Sequence, residues 1–441
     1  MDIPLFIANV NYVLSVPTTF MFIGTAIILT FKTRFIQLRA FSRFIYLISG
    51  KDNLKETHNK DEKTITPTRA LFTAMATTIG MGNVVGPSLA IMAGGPGALF
   101  WLIVYMIAGS AIKFVEVVYA IDSREYTKDG FILGGPMQYL KRVSPALAYW
   151  YSLITVVLFA GWCSLQANAL SDILEKQSYS IPPYITGLFL ALILILVLFG
   201  GAKRVGSIAS KLVPIMFIMY VSFSIFVLFQ DWILLKNAIK LVLQHAFMPS
   251  AALGGFMGAT VLDAMRYGTY RGVYITEAGF GTASIPHSLT SAKKAVDQGI
   301  LALYSVSAEI FLCLLSGLII LVTDVWTSIA PGCWSNTLIY DAFKVYAPSF
   351  GSYVLLISIS LFVITTVIGN AFNGSQSFAS ITNHKRLRLY YYFVALVTFL
   401  GAIVGVKLAW DIMDIFLALA AIPNLVGLLI LSWKLPKVIK F

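Results

Sequence analysis

Residues 74–98 read AMATTIGMGNVVGPSLAIMAGGPGA, an apolar stretch of membrane-spanning length that is interrupted near its middle. Gly80, Gly82, Asn83, Gly86 and Pro87 fall within eight residues. Each glycine weakens a helix there, and Pro87 removes a backbone donor. Lipid offers nothing to the freed N–H and C=O groups, so unwound backbone at this depth is tolerated only where it is buried in protein or lines a cavity. Such a break marks a place where amides and carbonyls can hold an anion and a cation side by side.

The surrounding sequence sets the class. Hydrophobic residues make up 58% of the 441 positions and charged ones 12%, with a mean hydropathy of +0.82, too apolar for a soluble protein of this length. The reading is an all-α polytopic membrane protein. A bilayer core of about 30 Å takes roughly 20 helical residues to cross. Eleven segments are long enough or nearly so: 10–31, 67–93, 97–121, 146–174, 184–200, 206–230, 251–283, 299–323, 350–378, 389–405 and 410–433. With the N-terminus outside, the inner loops and the cytoplasmic C-terminus collect 24 of the 32 lysines and arginines, whereas the outer loops hold Lys176, Lys236, Lys240, Lys344 and Lys407. The expected location is therefore the inner or plasma membrane of the cell, among its lipids. Topology accounts for the net charge of +12, which lends no weight to a nucleic-acid partner. Met1-Asp2-Ile3-Pro4 has no positive charge of the kind that opens a cleaved signal, so the first segment is expected to stay.

Setting that N-terminal helix (10–31) aside leaves ten segments, which divide into two sets of five, 67–230 and 251–433, within one membrane domain spanning 1–441. Five is odd, so the second set enters from the opposite face, the pattern of inverted-repeat transporters. Its leading segment, 251–283, is also rich in breakers and charge: Gly254, Gly255, Gly258, Gly268, Gly272, Gly279 and Gly281, with Asp263, Arg266, Arg271 and Glu277 among them. Matching interruptions at the head of both sets point to a binding site between them.

Other chemistries find little support. Cys163, Cys313 and Cys333 have no metal-ligand spacing and fit packing roles; His58, His245, His287 and His384 are scattered. No nucleophile, metal or acid–base constellation gathers at one depth, so the chain is not read as an enzyme.

Several motifs occur in consistent order from about residue 10 to 433: Thr78-Ile79-Gly80-Met81-Gly82-Asn83, Gly94-Gly95-Pro96-Gly97-Ala98, Lys113 with Glu116, Gly134-Gly135-Pro136-Met137, Gln166-Ala167-Asn168, Arg271-Gly272-Val273 with Glu277-Ala278-Gly279, and Ala421-Ile422-Pro423-Asn424-Leu425. Together they resemble the alanine or glycine:cation symporter family. The resemblance implies a LeuT-like fold of two inverted five-helix repeats plus one N-terminal helix, and symport of alanine or glycine with Na+ by alternating access.

A zwitterion needs donors for its carboxylate and acceptors for its ammonium, since unsatisfied charge at the midplane is costly. The amides at Gly80, Met81 and Gly82, with the Thr78 hydroxyl, are expected to hold the carboxylate; Gln166 contacts substrate or another helix. The LeuT-like resemblance implies a Na+ site made by the hydroxyls of Thr365 and Thr366 with the carbonyls of Ala76 and Ile79, against the alternative that the threonines bond back to their own helix. Met81, Cys163, Ile275-Thr276, Asn370, Asp263 and Asp411 depart from the family pattern. Thr276 and Asn370 are read as pocket residues, and so is Asp263, placed about ten residues into its helix and roughly 15 Å deep, or else paired with Arg266 or Arg271. These departures suggest a larger or more polar substrate. Asp263 and Asp411 leave an H+-coupled carrier of a different amino acid as the alternative, alongside a non-transporting sensor. Glu116 is read as a partner of Lys113, and Glu277 as a cap or a brace of the inner gate.

Overall fold

The computed structural model describes residues 3–49, 64–127, 130–176, 180–248, 260–328, 335–347, 350–383 and 385–441. Long apolar segments satisfy their backbone in lipid by becoming helices. They are α1 (Ile3–Lys32), α2 (Pro67–Thr78), α3 (Met81–Gly94), α4 (Gly97–Asp122), α5 (Pro145–Glu175), α6 (Pro183–Leu198), α7 (Gly201–Leu228), α8 (Trp232–His245), α9 (Val261–Thr276), α10 (Ala295–Val322), α11 (Phe350–Thr382), α12 (Leu387–Gly401) and α13 (Val406–Lys434). Among the described residues eight spans are long and apolar enough to cross a membrane, the α2–α3 run counted as one. The shorter apolar α6 and α12 and the interrupted stretch around α9 are the further segments that a count of eleven requires.

The packing places both interrupted stretches at the centre. The halves α3 and α9 touch each other, α9 and α10 lie on α4, and α11 and α13 lie on α5. α11 also meets α2, while α1 runs along α13, α4 and α9 on the outside of this core. Buried ion pairs cross the interior. Lys113 on α4 is 3.0 Å from Glu309 on α10, and Arg271 on α9 is 2.5 Å from Asp414 on α13. Lys113 therefore pairs with Glu309 and not with Glu116, as the sequence suggested. The i,i+3 spacing put Glu116 within reach, but its carboxylate points to the end of α9 instead.

The first break is narrower than its glycine content implied. Thr66 accepts the Arg69 N–H at 3.3 Å and Pro67 takes the first turn, so α2 starts cleanly. It ends at Thr78; Ile79 and Gly80 are extended, and α3 begins at Met81. Asn83 closes the gap: its Oδ1 accepts the Gly80 N–H at 3.0 Å. Gly82, Gly86 and Pro87 are helical. The two glycines serve packing, since an added Cβ would stand 2.9 Å from Tyr274 Cε1 at Gly82 and 3.0 Å from Ile275 Cδ1 at Gly86.

The second break also moves from where the sequence put it. Gly254, Gly255 and Gly258 lie outside the described residues. Gly268 and Gly272 are helical and let α9 approach α4, where a Cβ would strike the Ala98 carbonyl and Tyr105 respectively. The chain leaves the helix at Glu277 (φ 56°) and uses Gly279 (φ 87°) and Gly281 (φ 92°), left-handed positions that glycine fills without strain. A short helix, Ser284–Ser288, follows. Beyond it Thr290 forms a parallel bridge with Ile65, just ahead of α2: Ile65 N–H donates to Leu289 O at 3.0 Å, and Ser291 N–H to Ile65 O at 2.8 Å.

Candidate functional site

The two breaks, α5 and α11 enclose a small cavity lined by Thr77, Thr78, Gly82, Trp162, Gln166, Tyr274, Ile275, Glu277, Thr366 and Asn370. Its free volume is about 10 Å³, the space one water takes, so the site is closed around itself. The break arms it. In a continuous helix the Gly80 N–H would bond the Ala76 carbonyl; here it bonds Asn83, which leaves the last carbonyls of α2, Ala76 among them, without that donor. Met81 and Gly82 open α3, where the first N–H groups have no intrahelical acceptor. The negative end of one half-helix thus meets the positive end of the next.

Side chains on the wall add unspent polar capacity. Thr366 Oγ1, Gln166 Oε1, Asn370 Oδ1 and Trp162 Nε1 are buried without hydrogen-bond partners. Groups left this way in a dry interior cost on the order of 1–3 kcal/mol each unless a ligand completes them. Gln166 Nε2 donates to Tyr274 OH at 3.0 Å, which turns its Oε1 free. Aromatic rings close the cavity on two sides. Trp162 packs edge-to-face on Tyr274 (5.2 Å) and against Phe280 (5.1 Å), and Tyr274 in turn meets Trp410 at 4.9 Å. Arg271 lies 4.4 Å over the Trp410 ring while paired with Asp414, which ties that cover to α13.

The irregular chain at 277–283 is pinned from outside. Tyr105 OH donates to Ala278 O at 2.6 Å and Tyr151 OH to Phe280 O at 2.8 Å. Glu116 Oε1 accepts the Gly279 N–H at 3.0 Å and Asn424 Nδ2 at 2.8 Å, and Asn424 also donates to Gly279 O at 2.9 Å. Within the loop, the Thr282 hydroxyl donates to Glu277.

Of the residues singled out in the sequence, Thr78, Gly82, Gln166, Asn370 and Thr366 come together on the wall, and Gly80 lies directly against Thr366 Oγ1. Met81 is buried beside the break, off the wall. Thr276 is turned away: its hydroxyl donates to Gly272 O at 2.7 Å and accepts the Ala278 N–H at 3.2 Å. Thr365 bonds back to Leu361 O at 2.9 Å and faces Met216 on α7 at 3.4 Å, the back-bonded alternative. Ala76 is packed against Gly369 of α11, and Ile79 N–H continues the helix pattern to Met75 O at 2.7 Å.

Asp263 requires a correction. It stands in the first turn of α9, where Thr260 Oγ1 accepts the Asp263 N–H at 3.1 Å and Asp263 Oδ2 accepts the Thr260 N–H at 3.2 Å. The depth estimate failed because it counted helix from residue 251, whereas α9 starts at Val261. Asp263 also lies 3.6 Å from Arg266. Asp411 accepts from Asn11 at 2.9 Å, so neither carboxylate lines the cavity. Sequence reasoning passed over Thr77, Trp162 and Tyr274 and took Glu277 as a cap or brace; it does cap the end of α9, and it also lines the cavity. Trp162 was within reach, one turn before Gln166 on the same face of α5.

Comparison with known proteins bears on the family and the fold. The family described as "Sodium:alanine symporter family" matches residues 3–441. The sodium/alanine symporter AgcS of Methanococcus maripaludis is 32% identical over 426 residues, 93% of this chain and 91% of that protein. The probable sodium/glutamine symporter GlnT of Bacillus subtilis is 29% identical over 420 residues, 93% of this chain and 84% of the relative. Among solved structures, MhsT in complex with L-phenylalanine aligns with a TM-score of 0.62 at 14% identity, over 84% of this chain and 90% of its own.

Proposed function

The chain belongs to the sodium:alanine symporter family, multi-pass Na+-coupled amino-acid symporters with a LeuT-like fold, and from that premise we propose that the cavity at the α2–α3 break takes a small neutral amino acid together with Na+. The observation that carries the reading is the break itself. The N–H groups of Met81 and Gly82 suit a carboxylate, while Gln166 Oε1 and Asn370 Oδ1 suit an ammonium or a polar side chain. The Ala76 and Ile79 carbonyls, with Thr366 Oγ1 against Gly80, suit a sodium ion that wants oxygen ligands. Alanine or glycine is the family default, and the unpaired Asn370 amide supports a set that reaches toward polar amino acids, in line with the glutamine-named relative. Of the departures named from sequence, Asn370 and Ile275 are on the wall.

A cavity with room for one water admits an amino acid only after one side moves, which fits alternating access. With the basic loops inside, the N-terminus faces out and the C-terminus the cytoplasm. The test is uptake of an amino-acid panel into proteoliposomes with and without a Na+ gradient, backed by counterflow. Na+-dependent uptake of alanine, glycine or a small polar amino acid is expected. Uptake driven equally by a proton gradient without Na+, or binding without counterflow, overturns it in favour of an H+-coupled carrier or a sensor.

A further inference from the structure

The cavity reading accounts for Thr366, Gln166 and Asn370. It leaves Asn373 unexplained. This residue is completely buried, and neither its Oδ1 nor its Nδ2 has a hydrogen-bond partner. A primary amide carries both donors and acceptors, and leaving all of them idle in a dry interior is unfavourable where an apolar side chain would fill the same space.

Asn373 belongs to a stripe. At 3.6 residues per turn, Thr366, Asn370, Asn373, Ser377 and Ser380 fall on one face of α11. Thr366 and Asn370 line the cavity at one end. At the other end Ser380 Oγ is 3.1 Å from Ser152 Oγ on α5, shortly before Lys385, Arg386 and Arg388 at the junction of α11 and α12. Gly369, on the flank of the stripe, packs on α2, where an added Cβ would stand 2.6 Å from Thr77 Cγ2. The stripe therefore follows the seam between α2, α5 and α11 from the cavity toward the basic loops. Ser377 bonds within its own helix, donating to the Asn373 carbonyl at 3.3 Å.

We propose that this stripe is the wall of the route by which the amino acid and Na+ leave the cavity toward the side of the membrane carrying the basic loops, and that Asn373 is the polar station on it. The proposal rests on the transport reading of the cavity. In the closed state the amide is dry and idle. When α2 and the 277–283 loop move off α11, the same amide meets water and the charged ends of the zwitterion. Its burial weighs against the closed state and so favours opening.

The experiment has two arms. Asn373→Cys and Ser377→Cys are treated with a membrane-impermeant methanethiosulfonate in right-side-out and inside-out vesicles, the unmodified chain with its native cysteines giving the background. Labelling above background is expected from the inside-out face alone, at a rate that changes by about threefold or more when Na+ and alanine are added together. In the second arm, Asn373→Leu is reconstituted, and exchange of alanine, or of glutamine if alanine is not exchanged, is expected to slow about tenfold while apparent affinity stays within about twofold. Absence of labelling from both faces under all conditions, or exchange by Asn373→Leu at the original rate, overturns the proposal. If Asn373→Leu does not fold, the labelling of Ser377→Cys decides. Should the original chain exchange no amino acid of the panel, the transport reading falls, and the one-sided labelling still reports whether the stripe opens.

Discussion

The two breaks that meet at the cavity are held in different ways. The first is two residues long and is closed by a residue of its own second half, Asn83. The second leaves its helix at Glu277, runs through two left-handed glycines, and is held by Tyr105 and Glu116 from α4, Tyr151 from α5 and Asn424 from α13. A gap closed by its own residue keeps its shape whatever its neighbours do. A loop tied to three other helices feels the movement of each. From this contrast we expect the first break to set the geometry of the site and the second to respond to movement of the helices that hold it.

The sharpest way to break this comparison is at Gly80. A Cβ there overlaps Thr366 Oγ1, so Gly80→Leu is expected to cut uptake by about 100-fold or more with membrane expression retained. Near-normal uptake would make the first break a packing feature only. Asn424→Ala removes the donor to Glu116 and to Gly279 O together. It is expected to lower the maximal rate about tenfold with a smaller change in apparent affinity; a rise in KM at unchanged rate would place the second break in binding instead. Asn370→Trp, which fills the wall with a ring, is expected to shift competition toward the smallest amino acids by about tenfold over larger ones. An unchanged competition profile would restore the family-default substrate.

Thr366→Ala should weaken Na+ activation by about three- to tenfold, and Thr365→Ala by less than about twofold, because Thr366 Oγ1 faces the break unpaired and Thr365 bonds back to its own helix. Equal Na+ activation curves for both variants and the original chain would remove the ion from this helix. The smallest effect is expected from Asp263→Asn, a loss of about 0.5–1 kcal/mol from the start of α9, read as a small drop in Tm with uptake within about twofold. Collapse of uptake in that variant would return Asp263 to the pocket.

Much of the fold was legible because lipid forces long apolar helices, and their spacing in the sequence is coarse and robust. The breaks were legible as regions and not as positions. Glycine serves both unwinding and close approach: Gly279 and Gly281 do the first, whereas Gly80, Gly82, Gly86, Gly268 and Gly272 let neighbouring elements touch. Composition does not separate the two uses. The misplacement of Asp263 had a local remedy, since Thr260 and Asp263 have the spacing of a reciprocal cap. The choice between Thr365 and Thr366 had none, because adjacent residues on a helix differ by about 100° and only the packing of α11 against α2 selects one.

The Ile65–Thr290 bridge joins the segment ahead of α2 to the segment behind the Ser284–Ser288 helix through main-chain hydrogen bonds in both directions. Swapping side chains leaves those bonds in place, since every residue but proline brings the same N–H and carbonyl. While the bridge holds, a movement of either segment is passed to the other, and probes placed at Ile65 and at Thr290 are expected to report one rate.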